Sequence, residues 1–194
     1  MRRFPCLFAV VALGVSCTPA ADSEAVESAT TAIAGSPEHL QLTNLERTVE
    51  IVHEKMRDLA EAMPEEDLAW RPMEGVRSVE EVFIHVAADN WYVPALLGWD
   101  APAETGVTND VETFRAYQSQ EMSREEMLEV LDASFVFFRE TMAASGSELD
   151  REVVLGSPTT VGDVWIRAVV HLHEHLGQGI AYARANEVVP PWSR

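Results

Sequence analysis

The chain has 194 residues, enough for one domain with a proper hydrophobic core, and only two cysteines. Its 14 Lys and Arg stand against 32 Asp and Glu, a formal net charge of -18. That balance excludes nucleic acid and an anionic membrane surface as partners, because both are bound through basic patches.

The first element is a targeting segment. Met1-Arg2-Arg3 is a charged start, and Leu7 to Val15 is an apolar run too short for a permanent transmembrane helix. Gly14-Val15-Ser16-Cys17 resembles a bacterial lipobox, with Gly14 where that pattern has Leu. Residues 1–17 therefore read as a signal peptide of lipoprotein type, with Cys17 as the lipidated residue. A plain secretory cut near Ala20 or Ala21 is the alternative. Either way the protein is expected to be exported, touching a membrane only through an N-terminal anchor. Processing removes Cys6 and occupies Cys17, so no free thiol is left for catalytic cysteine chemistry. Residues 18–36 are small, polar and aperiodic, the composition of a flexible tether.

Residues 37–194 read as the folded domain. Ser36-Pro37 opens a first helical segment, since proline suits the first helical position. Leu45, Val49, Val52, Met56, Leu59 and Met63 then repeat at spacings of four and three, and Pro64 ends the run. Ser78-Val79-Glu80-Glu81 is a capping box opening a second helix, with Pro94 and Gly98 marking its fraying end. A long connection with a short piece from Val111 to Tyr117 follows. Ser123-Arg124-Glu125-Glu126, another capping box, opens a third helix that Gly146 closes. Leu149 to Gly156 reads as a short extended piece, and Thr160 caps a fourth helix reaching about Asn186. Strand signals are otherwise nearly absent. The expected fold is all-α, a four-helix bundle with its long connection between helices two and three.

The fourth helix carries His171-Leu172-His173-Glu174-His175. Residues four apart share a helical face, with Cβ atoms about 5–6 Å apart. His171 and His175 can therefore bind one metal ion together, whereas His173 lies about 200° round the helix and reads as a surface residue. A lone histidine beside an apolar face is usually a core residue. An inward pair is different, because two buried imidazoles without a shared partner are costly to desolvate. The third ligand should come from another helix: His85 on helix two fits, and His53 on helix one competes. His39, in the first turn of helix one, reads as exposed. Three neutral imidazoles leave a cation an open position, as in catalytic zinc sites, where a bound water is acidified to a pKa of about 7. Asp89 and Gln178 are the candidates to assist catalysis, orienting ligands from outside the metal's own shell. The run also spells H-x-x-E-H, the inverted zinc-protease signature. That motif needs an acidic ligand well downstream, and Glu187 lies at or just past the end of the same helix.

These residues resemble the DinB/YfiT-like superfamily. The resemblance covers residues from about 40 to 194 and rests on Leu68-Ala69-Trp70-Arg71-Pro72, Gly75 and Arg77-Ser78, then His85 in the following helix. At the other end stand His171-x-x-x-His175-x-Gly177-Gln178, Tyr182-x-Arg184 and Val189-Pro190-Pro191-Trp192-Ser193. It implies a four-helix bundle, often dimeric, in which His85, His171 and His175 hold a divalent metal. Zinc and nickel lead among the metals, because imidazole suits several. Characterised relatives include transferases and isomerases that use low-molecular-weight thiols. The export signal departs from that picture, because such thiols are scarce outside the cytoplasm, and hydrolysis of a small-molecule substrate needs no thiol. The expected function is a metal-dependent hydrolase or transferase. The alternative is a metal- or ligand-binding module without turnover.

Overall fold

The structure, a computed structural model, describes residues 37–193, and the signal peptide, the tether, Cys6 and Cys17 lie outside the described residues. The first helix, α1, spans Pro37–Ala62. Its predicted stripe is buried: Val49, Val52, Met56 and Leu59 are 0 % exposed. The second helix, α2, spans Val79–Leu97 and starts with the expected capping box. Ser78 Oγ accepts the Glu81 N–H at 3.3 Å, and Glu81 Oε2 accepts the Ser78 N–H at 2.7 Å.

Pro94 does not fray this helix. The helix continues through it to Leu97 and stops at Gly98, whose φ of 100° suits a residue without a side chain. The Trp99 N–H closes the end on the Pro94 carbonyl at 3.0 Å. Burial of Trp91, Ala95 and Leu97 holds the turn where proline removes one N–H.

The long connection contains an eight-residue helix, α3 (Val111–Gln118), capped by Asp110. Helix α4, Arg124–Ala144, begins at the Ser123–Glu126 capping box and ends in a 3₁₀ turn, Ser145–Ser147. The extended piece is half of a hairpin. Strand β1 (Glu152–Leu155) pairs antiparallel with β2 (Ser157–Thr160), turning at Gly156, φ 74°. Helix α5 follows at once, Val161–Ala185, with the Thr160 side chain accepting the Asp163 N–H.

The four long helices form a ring in the order α1, α4, α2, α5. The successive helices α1 and α2 sit across a diagonal, so residues 63–78 must cross the end of the bundle. Its backbone is tied down there: the Val79 N–H bonds the Trp70 carbonyl and the Glu80 N–H bonds the Leu68 carbonyl, both at 3.0 Å. Trp70 meets Tyr182 of α5 edge-on at 5.4 Å. Phe83, Leu131, Phe135, Phe138 and Trp165 fill the core. Full burial of side chains of this kind contributes about 1.5–3 kcal/mol each. The ring order makes α2 and α5 neighbours, which brings His85 beside the His171–His175 pair. Among the described residues, no helix is long and apolar enough to cross a membrane.

Candidate metal centre

Two i, i+4 pairs face each other across the α2–α5 seam. His85 and Asp89 come from α2, and His171 and His175 from α5. One ligand atom from each lies within 4.8 Å of all the others. Asp89 Oδ2 is 3.1 Å from Nε2 of His85 and 3.1 Å from Nε2 of His171. The Nε2 atoms of His171 and His175 are 3.0 Å apart.

The outward ring nitrogens decide what those inward atoms are. His85 Nδ1 lies 2.9 Å from Gln118 Oε1, and His175 Nδ1 lies 2.9 Å from Gln178 Oε1. His171 Nδ1 lies 3.2 Å from Glu174 Oε2. The oxygen acceptors beside His171 and His175 favour the tautomer protonated at Nδ1, which turns a lone pair on each Nε2 inward. His85 Nδ1 meets both the Gln118 oxygen and, at 3.2 Å, the donor Arg77 Nη2, so either nitrogen of that ring can carry the proton. Gln118 Oε1 also accepts from Arg77 Nη2 at 3.1 Å, and the Gln178 amide donates to the Tyr182 hydroxyl at 2.9 Å. The inward imidazole nitrogens and the Asp89 oxygen thus form a group of acceptors that a proton or a cation can bridge. Three imidazoles and one carboxylate are a donor set that suits a divalent transition metal. The residues present fit such an ion.

Burial governs the charge states. His85 is 6 % and His175 8 % exposed. Burial, ahead of the opposing attraction of Asp89, pushes the His85 pKa down to about 4. Burial lowers that of His175 as well. His171 is held above the usual histidine range, first by its hydrogen bond to Asp89 and against its own partial burial. Its side chain is 44 % exposed, so the cluster opens to solvent on the α5 side.

The structure brings His85, His171 and His175 together, and Gln178 lies outside the cluster against Nδ1 of His175. Asp89 does not sit outside: its carboxylate is one of the four converging groups. His53 is elsewhere, bonded to Asp132 at 2.8 Å and stacked on Phe135 at 4.6 Å. His173 turns outward and bonds the Val169 carbonyl. Glu174 of the H-x-x-E-H spelling faces the outer nitrogen of His171, and Glu187 is no part of the cluster. Sequence reasoning missed Gln118 and Arg77 as supporting groups. Nothing local to Gln118 signals its role; α3 delivers it to a histidine 33 residues earlier.

A family model described as the DinB superfamily matches residues 48–178. Among solved structures, a DinB-like protein from Bacillus subtilis aligns with a TM-score of 0.55 and 17 % identity, over 75 % of this chain and 94 % of that one. A candidate member of the DinB family from Exiguobacterium sibiricum aligns with a TM-score of 0.52 and 22 % identity, over 74 % and 90 %. At those identities both show a shared fold. No curated protein matches the sequence.

Proposed function

The chain belongs to the DinB superfamily, and on that premise we propose that it is an exported metalloenzyme whose divalent ion, zinc or nickel, is held by His85, His171 and His175. The observation that carries this reading is the convergence of one ring nitrogen from each of three histidines and one Asp89 oxygen, all within 4.8 Å of one another. A divalent cation there supplies Lewis acidity toward a water, a thiol or a carbonyl group. The surrounding residues do the rest. Gln118, Glu174 and Gln178 hold ring orientation, as outer partners of ligating histidines do. Asp89 places a carboxylate beside the exposed imidazole of His171, where it can take a proton from a small-molecule substrate or nucleophile. Hydrolysis is favoured over thiol transfer by the export reading, in which the lipobox-like Cys17 carries a membrane anchor. The proposal includes pairing of two copies, the arrangement that the resemblance implies.

One observation favours a second reading. With Asp89 inside the cluster, four protein groups face the ion, the count of closed structural sites. A metal-binding module without turnover follows if Asp89 stays bound.

Elemental analysis of the purified chain and of His175→Ala, followed by a panel of ester, amide, phosphoester and thiol-transfer substrates, tests both. One metal per chain, lost in His175→Ala, with turnover abolished alongside, supports the enzyme. Metal without any turnover leaves the binding module. No metal, and no thermal shift with added zinc or nickel, removes both. Separately, Cys17→Ser should release the protein from membranes; unchanged fractionation removes the anchor.

A further inference from the structure

A second cleft lies away from the histidines, between α2, α4, the end of α3 and the segment around Pro102. Its volume is about 730 Å³, within the range of small-molecule sites. Trp91 lines it, two residues beyond Asp89 and so about 200° round α2 from that carboxylate. The two sites therefore use opposite sides of one helix.

The floor is aromatic. Trp91 and Tyr117 are 3 % and 5 % exposed, and Phe137 of α4 meets the Trp91 ring at 5.3 Å. The Trp91 indole N–H faces the Tyr117 hydroxyl, so the two rings hold each other in place at the base of the cleft. The rim is acidic: Glu104, Glu121, Glu129 and Glu140 surround the opening, and none of them forms an ion pair among the described residues. No Lys, Arg or His lines the cleft among the described residues. Glu129, Ala133, Val136, Phe137 and Glu140 follow one face of α4 at spacings of three and four, so a single helix presents both the apolar wall and the charge.

We propose that this cleft binds an amphipathic organic cation, an aromatic or alkyl body bearing a quaternary or protonated amine. The aromatic floor takes the body, and a cation held close to aromatic rings is attracted to them, an interaction that strengthens as the site excludes water. The unpaired carboxylates, all exposed at the rim, attract the positive end through their summed charge. An anionic or neutral guest of the same shape gains the floor and loses the rim.

The test is isothermal titration of the purified chain with benzyltrimethylammonium, with benzyl alcohol and benzylsulfonate as neutral and anionic counterparts. One-to-one binding of the ammonium at least fivefold tighter than either counterpart is expected. Glu129→Gln with Glu140→Gln should weaken it at least fivefold. Ala133→Trp should abolish it, because residue 133 is exposed in the cleft and a larger side chain there fills the space without entering the core. Circular dichroism of each variant confirms folding, and His175→Ala should bind the ammonium as the parent does. Equal binding of all three probes, no binding of the ammonium, or parental affinity in a folded Ala133→Trp overturns the proposal. Loss of binding in a folded His175→Ala overturns the assignment of a separate site.

Discussion

His171 and His175 point their Nε2 atoms at each other across 3.0 Å while Glu174 and Gln178 accept from their Nδ1 atoms. Two lone pairs so placed repel, and the fold tolerates this only where a positive charge sits between or beside them. The stability of the domain is therefore linked to that charge.

Metal addition should raise the melting temperature of chelator-treated protein. Binding to the folded state alone adds about 2.7 kcal/mol at a hundredfold excess over Kd, or about 5–11 °C for a domain of this size. His53→Ala and His173→Ala should keep the shift, because neither side chain reaches the cluster. A thermal scan with and without zinc and nickel reads it. Loss of the shift in His53→Ala but not in His85→Ala would reassign the third ligand.

Gln118→Leu should weaken metal binding without removing a ligand. His85 would keep its inward nitrogen but lose the acceptor at Nδ1, leaving only the Arg77 guanidinium there, and outer partners of this kind are worth about 10–100-fold in affinity. Gln178→Leu should act the same way through His175. Competition against a chromophoric chelator measures both, and affinity unchanged in both variants would mean that packing alone orients the rings.

The parts of this molecule that were readable in the sequence are those written on one helix. The capping boxes at Ser78 and Ser123 and the His171–His175 pair depend on residues three or four apart, so spacing alone exposes them. Asp89 was visible as the i+4 neighbour of His85, yet which side of the cluster it occupies depends on how α2 and α5 meet. Gln118 was invisible because only the crossover fold of α3 brings it to His85. The second strand was missed because Ser157-Pro158-Thr159-Thr160 is short, polar and interrupted by proline, and it pairs only through the turn at Gly156.

In the core, Asn90 is fully buried and donates to Ser134 Oγ at 3.1 Å, which in turn donates to the Leu131 carbonyl. Ser134→Ala strands the Asn90 amide and should cost about 1–3 kcal/mol by urea denaturation. Asn90→Leu combined with Ser134→Ala should cost less than the two single changes added together, because the double variant leaves neither partner stranded. Simple additivity would show that the pair is not coupled.

Acid should destabilise the metal-free protein through His85. Its folded-state pKa of about 4 lies below the ordinary histidine value of about 6.5. The unfolded chain therefore binds the proton first, and stability falls as pH drops from about 6.5 toward 4, then levels off. At pH 5 the loss attributable to this residue has a ceiling of about 2 kcal/mol. His175 contributes in the same direction, whereas His171, held above its ordinary value, stabilises at low pH and loses that contribution as pH rises. Arg77, Asp89, His171 and His175 are the charged or titratable groups facing His85, and Arg77 and His175 both oppose its protonation. Urea denaturation of chelator-treated protein at pH 7.5 and pH 5 isolates the term by comparison with His85→Gln. The parent should lose up to about 2 kcal/mol more than the variant between the two pH values. Equal losses would show that His85 takes up its proton in the folded state as readily as in the unfolded chain.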